Sequence, residues 1–329
     1  MNMKRFLPIF LLLLFAAWPL QAGKKAQKNF RLLYWNIQMG MWDGQSDNYE
    51  RFVNWILSKD PDVCVWTEAA TLCATDSEEH LPKEQRYLPA GWPELARRYG
   101  HEYVFVGGMR DPFPQVITSK YPIDSLGAFV GGQPDSVVMH GAGWARLNVE
   151  GKKINILTVH LQPYGYWRFI PNDQKEESSR NYGGEKYRRM EMQWIFNHSI
   201  RTVEHPEKEL WMLMGDFNAC SRKDNYHYKW SQASQAFLTH NYIEQAAPFL
   251  YDVVAEKFPE TFCPSHSNKK RIDYIYVSEA LLKSIKKVVL QPDAYSKPKS
   301  SGVKENFKRP SDHLPIIVDF NLDKIMKQF

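Results

Sequence analysis

The hydrophobic residues of this chain fall into short apolar runs, separated by stretches in which apolar positions recur at helical spacing. Near the start of the chain, Arg31–Trp35 and Val63–Thr67 are apolar runs of strand length. Between them, Tyr49–Ser58 has its apolar residues at helical spacing, and Asp60-Pro61 then interrupts the pattern. The pattern predicts a strand, a helix and a second strand.

The rest of the chain continues in the same way. Further strands are predicted at Tyr103–Val106, Val116–Thr118, Trp144–Val149, Ile154–His160, Leu210–Met214, Ile272–Val277 and Ile316–Phe320. Helices are predicted at Trp92–Tyr99 and Lys186–Val203, a tight hairpin at Glu150-Gly151, and a long surface loop at Tyr164–Gly184. Because strands outnumber helices and helices separate only some of them, two packed sheets with helices outside are favoured over one doubly wound parallel sheet.

The first residues have the order of a secretory signal. Lys4 and Arg5 precede the apolar run Phe6–Leu20, and the small residues of Gln21-Ala22-Gly23 follow. The run is short for a membrane span, which needs ~20 residues, although an uncleaved anchor is the alternative interpretation. We therefore expect residues 1–23 to be a signal peptide and the protein to be exported, either periplasmic or secreted. Residues 24–329 contain no linker-like stretch and are expected to form a single domain.

The net charge and the cysteine content exclude few classes of protein. The formal net charge is +5, and removal of the two basic residues of the signal leaves about +3, which suits an anionic substrate without requiring nucleic acid. Lys269–Arg271 is the only cluster of three basic residues. The four cysteines, Cys64, Cys73, Cys220 and Cys263, allow three complete disulfide pairings and form no zinc-binding pattern.

Polar residues with catalytic potential follow or begin several predicted strands. In chain order they are Asn36, Glu68, His160, Asp216 with Asn218, Asp273, and the adjacent Asp312 and His313. Strand ends present side chains over a rigid base, and residues two apart on an extended backbone point the same way, so that Asp216 and Asn218 can face one ligand. Taken alone, the segment of Asp216 and Asn218 is explained equally well by a turn, and each of the other segments is explained better by a turn, a core position or a strand cap.

Together these segments resemble the endonuclease/exonuclease/phosphatase superfamily. Gly-Asp-Phe-Asn at Gly215–Asn218 and Ser-Asp-His at Ser311–His313 carry most of the resemblance, and Ser119–Ile123 is similar to a Ser-Arg-Tyr-Pro-Ile turn of the family. The resemblance covers roughly Phe30 to Phe320. It implies a four-layer α/β/β/α sandwich of two packed mixed sheets flanked by helices.

The resemblance also implies a role for each segment. Metal ligation is implied for Glu68, Asn36 and Asp312, with Mg²⁺ or Mn²⁺ as the cofactor and Ca²⁺ as an alternative. Asp216 would deprotonate the attacking water, Asn218 would hold that water or a phosphate oxygen, Asp273 would orient His313 on the phosphate, and His160 would contact the phosphate or protonate the leaving oxygen. These roles are chemically consistent, because a hard cation with oxygen ligands cancels the negative charge that repels a nucleophile from a phosphodiester. Arg110 and Arg146 are further candidates for phosphate contacts, whereas His140, His266 and four other histidines receive no role and are mostly expected at the surface.

The sequence indicates the type of reaction more clearly than it indicates the substrate. Glu68-Ala69-Ala70 departs from the Glu-Thr-Lys of abasic-site endonucleases. The expected function is an exported, metal-dependent phosphodiesterase or nuclease that acts as a monomer without a stable protein partner. Nucleic acid is favoured over a lipid headgroup, as in sphingomyelinases, and over a sugar or inositol phosphate. A non-catalytic binding protein on the same fold is the alternative from another class.

Overall fold

The computed structural model describes residues 28–44, 49–69, 91–108, 113–131, 137–290, 293–298 and 310–327. The strands are β1 Asn29–Asn36, β2 Val63–Thr67, β3 Tyr103–Val106, β4 Val116–Ser119, β5 Ile123–Phe129, β6 Ala142–Val149, β7 Lys152–His160, β8 Leu210–Asp216, β9 Leu250–Asp252, β10 Asp273–Ser278, β11 Ile285–Val289 and β12 Ile316–Asn321. The helices are α1 Glu50–Lys59, α2 Gly91–Arg98, α3 Lys175–Arg180, α4 Gly183–Asn197, α5 Asn225–Tyr228, α6 Leu238–Ala246, α7 Val253–Lys257, α8 Glu279–Ser284 and α9 Leu322–Met326.

The strands of the described residues form two six-stranded mixed sheets. The first has the order β11-β12-β1-β2-β4-β3 and the second β5-β6-β7-β8-β10-β9. β1 and β2 pair in parallel, as do β7 and β8 at the centre of the second sheet, whereas the neighbouring pairs are antiparallel. This confirms the predicted pair of packed mixed sheets.

Side-chain alternation along the strands explains the layers. On β1, Leu32 and Tyr34 point into the core between the sheets, where residues such as Met212 of β8 meet them. Leu33 and Trp35, one position along, pack instead against α1. A third apolar cluster lies between the second sheet and the helices α4 and α6. Both faces of each sheet are therefore covered, as the four-layer prediction requires.

Two local predictions are wrong. The predicted helix Lys186–Val203 is not continuous, because α4 ends at Asn197 and a separate 3-10 turn covers Ile200–Thr202. Ser199 lies at the break and donates its hydroxyl to the carbonyl of Ile195, a local bond that competes with the helical ladder. The predicted loop Tyr164–Gly184 contains α3 and the first turn of α4.

The predicted hairpin is confirmed at the turn between β6 and β7. Glu150 and Gly151 have φ values of 50° and 91°, the two positive angles that a type I′ turn needs. The predicted signal segment and Cys73 lie outside the described residues. Cys64, Cys220 and Cys263 are free thiols. In the part of the chain that the structure describes, no helix is long and apolar enough to cross a membrane.

Two buried histidines away from the strand ends that carry the candidate residues predict a sensitivity to acid. Burial lowers the pKa of His101 to about 4 and that of His240 to about 3, so that both rings stay neutral in the folded protein. In the unfolded chain, both histidines bind a proton below their ordinary pKa of ~6.5, whereas in the folded protein they do not. The folded state is therefore at its full stability above that pH and loses stability as the pH falls below it. We expect each histidine to lower the free energy of unfolding by about 2 kcal/mol between pH 7 and pH 5.

Urea unfolding at the two pH values measures this loss. His101→Gln should reduce the pH-dependent part by about one histidine's share, and replacement of the exposed His205 by Gln should leave it unchanged. An unaltered pH dependence in the His101 variant would contradict the prediction.

Candidate active site

The strand ends that carry the predicted residues meet at one edge of the sandwich. His160 and Asp216 are partners in the parallel register of β7 and β8, and Asp273 faces Asp216 in the antiparallel register of β10. β1 and β2 of the other sheet end nearby at Asn36 and Thr67. A cavity of about 350 Å³ opens between the two sheets, and the predicted residues that line it are Glu68, His160, Asp216, Asn218, Asp312 and His313.

Asn36 links the two sheets beneath this cavity. Its amide Nδ2 donates to Glu68 Oε1 and to Asp216 Oδ2, both at 3.0 Å, while its Oδ1 accepts from the backbone N–H of Gln38 at 3.0 Å. The Gln38 N–H requires an oxygen opposite it, which orients the amide with its NH₂ group toward the carboxylates. Asn36 therefore holds both Glu68 and Asp216 in place, and metal ligation by its oxygen stays a prediction.

Glu68 follows β2 in a left-handed backbone conformation, with a φ of 53°. Its Oε2 accepts from the backbone N–H of Met39 at 3.0 Å, and its side chain remains partly exposed to the cavity. A carboxylate held on one side and open on the other is suited to a hard cation.

Asp216 lies at the centre of the site and is almost fully buried. Its Oδ1 accepts from the N–H of Asn218 at 2.8 Å, and its Oδ2 lies 3.7 Å from Nε2 of both His160 and His313. Burial and the nearby Asp273 raise the pKa of Asp216. The preceding residue must be glycine, because a Cβ on Gly215 would lie 1.9 Å from the carbonyl oxygen of Val159 on the adjacent strand.

His313 and Asp273 form a buried pair. The Nδ1–H of His313 donates to Asp273 Oδ2 at 2.8 Å, and the same carboxylate accepts the hydroxyls of Tyr34 and Ser265, both at 2.7 Å. Burial would lower the pKa of His313, but Asp273, with contributions from Asp216 and Asp312, outweighs it and raises that pKa. His313 is therefore a cation at neutral pH, and its Nε2 faces Asp216.

His160, in contrast to His313, is not oriented by a hydrogen bond to a carboxylate. Its Nδ1 is buried and has no hydrogen-bond partner in the described part of the chain. Its ring stacks on His140, with centroids 4.2 Å apart and planes 18° apart. Burial, followed by the charges of His140 and His313, lowers the pKa of His160, so that its ring is neutral. A neutral imidazole suits a phosphate contact better than protonation of the leaving oxygen.

Two histidines without a predicted role line the cavity, contrary to the expectation of a surface position. His140 supports His160 from the loop before β6. His266 places Nε2 at 3.3 Å from Asp312 Oδ2, and its Nδ1 accepts from the N–H of Asn268 at 3.0 Å. Because Nδ1 accepts, the ring proton resides on Nε2 and points at Asp312. Both histidines come from irregular segments, where the strand-end pattern gave no signal.

Of the three remaining predicted residues, Asn218 lines the cavity, and Arg146 and Arg110 are not among the described residues that line it. Asn218 has a φ of 49°, and its Nδ2 donates to the carbonyl of Leu161 at 3.0 Å, so that one amide hydrogen is already used. Arg146 is not part of the cavity: it lies toward the other end of β6 and donates to Asn155 at 3.0 Å. Arg110 lies outside the described residues.

The donor set fits a divalent cation. Ligand atoms of Glu68, Asp216 and His313 lie within 4.8 Å of one another, as do those of His266, Asp312 and His313. No described residue lining the cavity is Lys or Arg, so that the carboxylates of Glu68, Asp216 and Asp312 face it without a permanent side-chain cation. Carboxylate oxygens in that arrangement call for a hard positive charge. Glu68 belongs to the first group and Asp312 to the second, and these two carboxylates are suited to bind a cation, since the cationic His313 has no lone pair to offer.

Comparison with known proteins agrees with this geometry. The sequence profile of the Endonuclease/Exonuclease/phosphatase family matches residues 33–313, and the chain therefore belongs to that family. Its members hydrolyse phosphoester bonds with a divalent metal, and the chain is an enzyme of this class. The alternative of a non-catalytic binding protein is thereby set aside. No curated protein sequence matches the chain significantly.

Solved structures show the same fold. An AP endonuclease from Archaeoglobus fulgidus superposes with a TM-score of 0.56 at 15% identity, over 89% of this chain and 99% of that one. An endonuclease/exonuclease/phosphatase from Beutenbergia cavernae DSM 12333 gives 0.58 at 17% identity, over 90% and 72%. The human Nocturnin catalytic domain with bound sulfate gives 0.55 at 15% identity, over 89% and 93%. These likenesses confirm the predicted family fold.

Proposed function

We propose that this enzyme is an exported, Mg²⁺-dependent phosphodiesterase that cleaves nucleic acid by direct attack of water, without a covalent intermediate. The observation that carries the proposal is the position of Asp216. This buried carboxylate lies 3.7 Å from the Nε2 atoms of two histidines, the cationic His313 and the neutral His160, at a cavity that Glu68 and Asp312 also line.

Asp216 is the base in this proposal. It receives a proton from the water that attacks phosphorus, and its raised pKa brings its proton affinity closer to neutral pH. A base is most effective when its pKa lies near the working pH, and such a group typically contributes 10²–10⁴-fold in rate. The bonds from Asn36 and from the Asn218 N–H hold the carboxylate in place for this transfer.

His313 supplies positive charge to the phosphate. As the imidazolium paired with Asp273, it can donate Nε2–H to an oxygen on which charge accumulates during attack. His160, which is neutral and whose Nε2 lies near the same oxygen of Asp216, offers a hydrogen bond to the same phosphate group. Mg²⁺ held by Glu68 and Asp312 would supply Lewis-acid polarisation and charge neutralisation when bound.

A basic turn at the cavity mouth favours a polyanionic substrate. Asn268 lines the cavity, and the next two residues, Lys269 and Lys270, are exposed. Two ammonium groups beside the opening would attract the backbone phosphates that flank a scissile phosphodiester. The third basic residue of this cluster, Arg271, is buried with Asp224 and Asp252 and has a structural role.

Replacement of both lysines tests this feature. In a Lys269→Ala/Lys270→Ala double variant we expect kcat/KM for single-stranded DNA or RNA to fall roughly tenfold at low salt and to approach wild type at high salt. The rate with a small bis-aryl phosphodiester should stay unchanged, because that substrate has no flanking phosphates. Lys286→Ala/Lys287→Ala, on the edge strand β11, is the matched control. Equal losses for the small and the polymeric substrate would contradict an electrostatic role.

A substrate panel tests the proposed function itself. Protein beginning near Lys24 is assayed on DNA, RNA, sphingomyelin and inositol phosphates, with Mg²⁺ and with EDTA. We expect EDTA-sensitive cleavage of nucleic acid. Preferential turnover of sphingomyelin or of an inositol phosphate would replace the proposed substrate, and turnover that EDTA does not affect would overturn metal dependence. Fractionation of cells that express the full chain tests export, which rests on the order of residues in 1–23.

A further inference from the structure

Helix α4 carries a buried carboxylate that the proposed chemistry does not use. Glu191 has no exposed surface, and burial raises its pKa to about 8. It lies among the residues that cover the second sheet, outside the cavity. A carboxyl group in such a place is costly unless both of its oxygens have hydrogen-bond partners.

Each oxygen of Glu191 binds a different segment of the site. Oε1 accepts the backbone N–H of Met139 at 2.7 Å, and Oε2 accepts the backbone N–H of Gln162 at 2.9 Å. Met139 directly precedes His140, and Gln162 follows His160 by two residues. One carboxyl group therefore ties together the two chain segments whose imidazole rings stack in the cavity.

This tie matters because His160 lacks the usual means of orienting an imidazole. His313 is oriented by the bond from its Nδ1 to Asp273. The corresponding nitrogen of His160 has no hydrogen-bond partner among the described residues, and its Nε2 lies 3.7 Å or more from the carboxylates. The stack on His140 is thus the main contact that orients the ring, and it depends on how the two segments lie relative to each other.

The backbone groups of the two residues after His160 all have hydrogen-bond partners. The N–H of Leu161 donates to the carbonyl of Asp216, and its carbonyl accepts Asn218 Nδ2. The carbonyl of Gln162 accepts Arg188 Nη1 at 3.0 Å, one helical turn before Glu191 on α4. Met139, on the other segment, is also bonded through its carbonyl to Arg168 Nη1 at 3.3 Å, and the β6–β7 ladder begins close by at Ala142 and Val159. Among these contacts, Glu191 is the side chain that bonds directly to both segments.

We propose that Glu191 is a positioning residue that sets the relative placement of His140 and His160 and thereby aligns His160 beside Asp216. The kinetic part of its test rests on the phosphodiesterase activity proposed above, whereas the spectroscopic part does not.

Glu191→Gln is the informative substitution. Glutamine has the same shape, but its amide nitrogen cannot accept a hydrogen bond, so one of the two N–H bonds is lost whichever protonation state the glutamate has. We expect kcat on a bis-aryl phosphodiester to fall on the order of 10–100-fold, since displacements of about 1 Å near reacting groups have effects of this size. The Mg²⁺ concentration for half-maximal activity should not change, because Glu68 and Asp312 are held by other contacts.

The histidine ring signals in NMR spectra of labelled, metal-free protein give the second readout. In Glu191→Gln the signals of His140 and His160 should move as the stack is disturbed, while those of His101 and His240 should not. Glu185→Gln is the matched control on the same helix: Glu185 is also buried, its Oε1 can still accept from Arg188, and the bond that it loses comes from the N–H of Thr239. It should lower the melting temperature without altering kcat or these signals.

These experiments distinguish a failure of the role proposed for Glu191 from a failure of the proposed phosphodiesterase function. A folded Glu191→Gln protein with wild-type kcat and unmoved His140 and His160 signals would overturn the proposal, as would equal kinetic losses in Glu185→Gln. If Glu191→Gln does not fold, Glu191→Asp keeps both acceptors on a shorter side chain and should show smaller shifts of the same two signals; unmoved signals would again overturn the proposal. If the wild-type protein has no phosphodiesterase activity, the proposed function fails and the NMR readout alone decides the role of Glu191.

Discussion

Replacement of Asp216 by asparagine is expected to lower kcat by about 10²–10⁴-fold, the usual contribution of a general base. The substitution keeps the shape of the side chain and removes its capacity to take a proton. Because Glu68 and Asp312 remain, Mg²⁺ or Mn²⁺ binding should persist, and titration calorimetry on the variant can show that the loss lies in the chemical step.

The control for this variant is Asp319→Asn. Asp319 is another buried carboxylate, paired with Arg31 at the start of β1, at the opposite end of that strand from Asn36. Its loss should reduce stability and leave kcat within a few-fold of wild type. Asp216→Asn protein that turns over a bis-aryl phosphodiester at the wild-type rate would remove Asp216 from the mechanism.

Asp273→Asn is expected to have the second-largest effect, a fall in kcat of about 10²–10³-fold. The new amide can still accept from Tyr34, but its NH₂ group would face Nδ1 of His313 and donate to it. His313 then becomes a neutral ring with its proton on Nε2, and the charge directed at the phosphate is lost. Since Asp273 is a main cause of the raised pKa of His313, the alkaline limb of the pH–rate profile should move to lower pH.

Tyr34→Phe is the matched comparison for this prediction. It removes one hydrogen bond to the same carboxylate but leaves the bond to His313 intact. Its pH–rate profile should resemble that of the wild type. An Asp273→Asn profile with an unshifted alkaline limb would show that the charge of His313 does not limit the reaction.

The elements that the sequence predicts best are those buried on both faces. β1, β2 and β8 consist of apolar runs whose every second residue enters a different layer, and their ends carry the polar residues of the site. A strand end is a defined place in a sheet, but it was the resemblance of these segments to the endonuclease/exonuclease/phosphatase superfamily that predicted a common site for Asn36, Glu68 and Asp216.

The edge strands β5 and β11 were missed for a physical reason, although the edge strand β3 was predicted. β5 is largely exposed and polar, and β11 begins with two lysines after its first residue. Neither has the apolar content of a central strand, because an edge strand covers less of the core. The sequence pattern could not distinguish them from loops.

The residues that the sequence analysis missed either lie on loops or lie outside the cavity and contact only the backbone of the site. His140 and His266 reach the cavity from loops, and Glu191 acts through backbone groups. Arg146 illustrates the opposite error: its residue type suits a phosphate, but its position on β6 places it with Asn155 and Glu209. Residue type is visible in a sequence, whereas the direction from which a side chain arrives depends on packing.

The cavity draws its residues from both sheets, with Glu68 and Asp312 on one side and His160 and Asp216 on the other. Asn36 and Tyr34 cross the gap between the sheets to Asp216 and Asp273. Catalytic activity therefore depends on the packing of one sheet against the other. If denaturant loosens the sandwich while leaving the strands paired within each sheet, catalysis should disappear together with the near-ultraviolet signal of the packed aromatic rings and before the far-ultraviolet signal of the backbone.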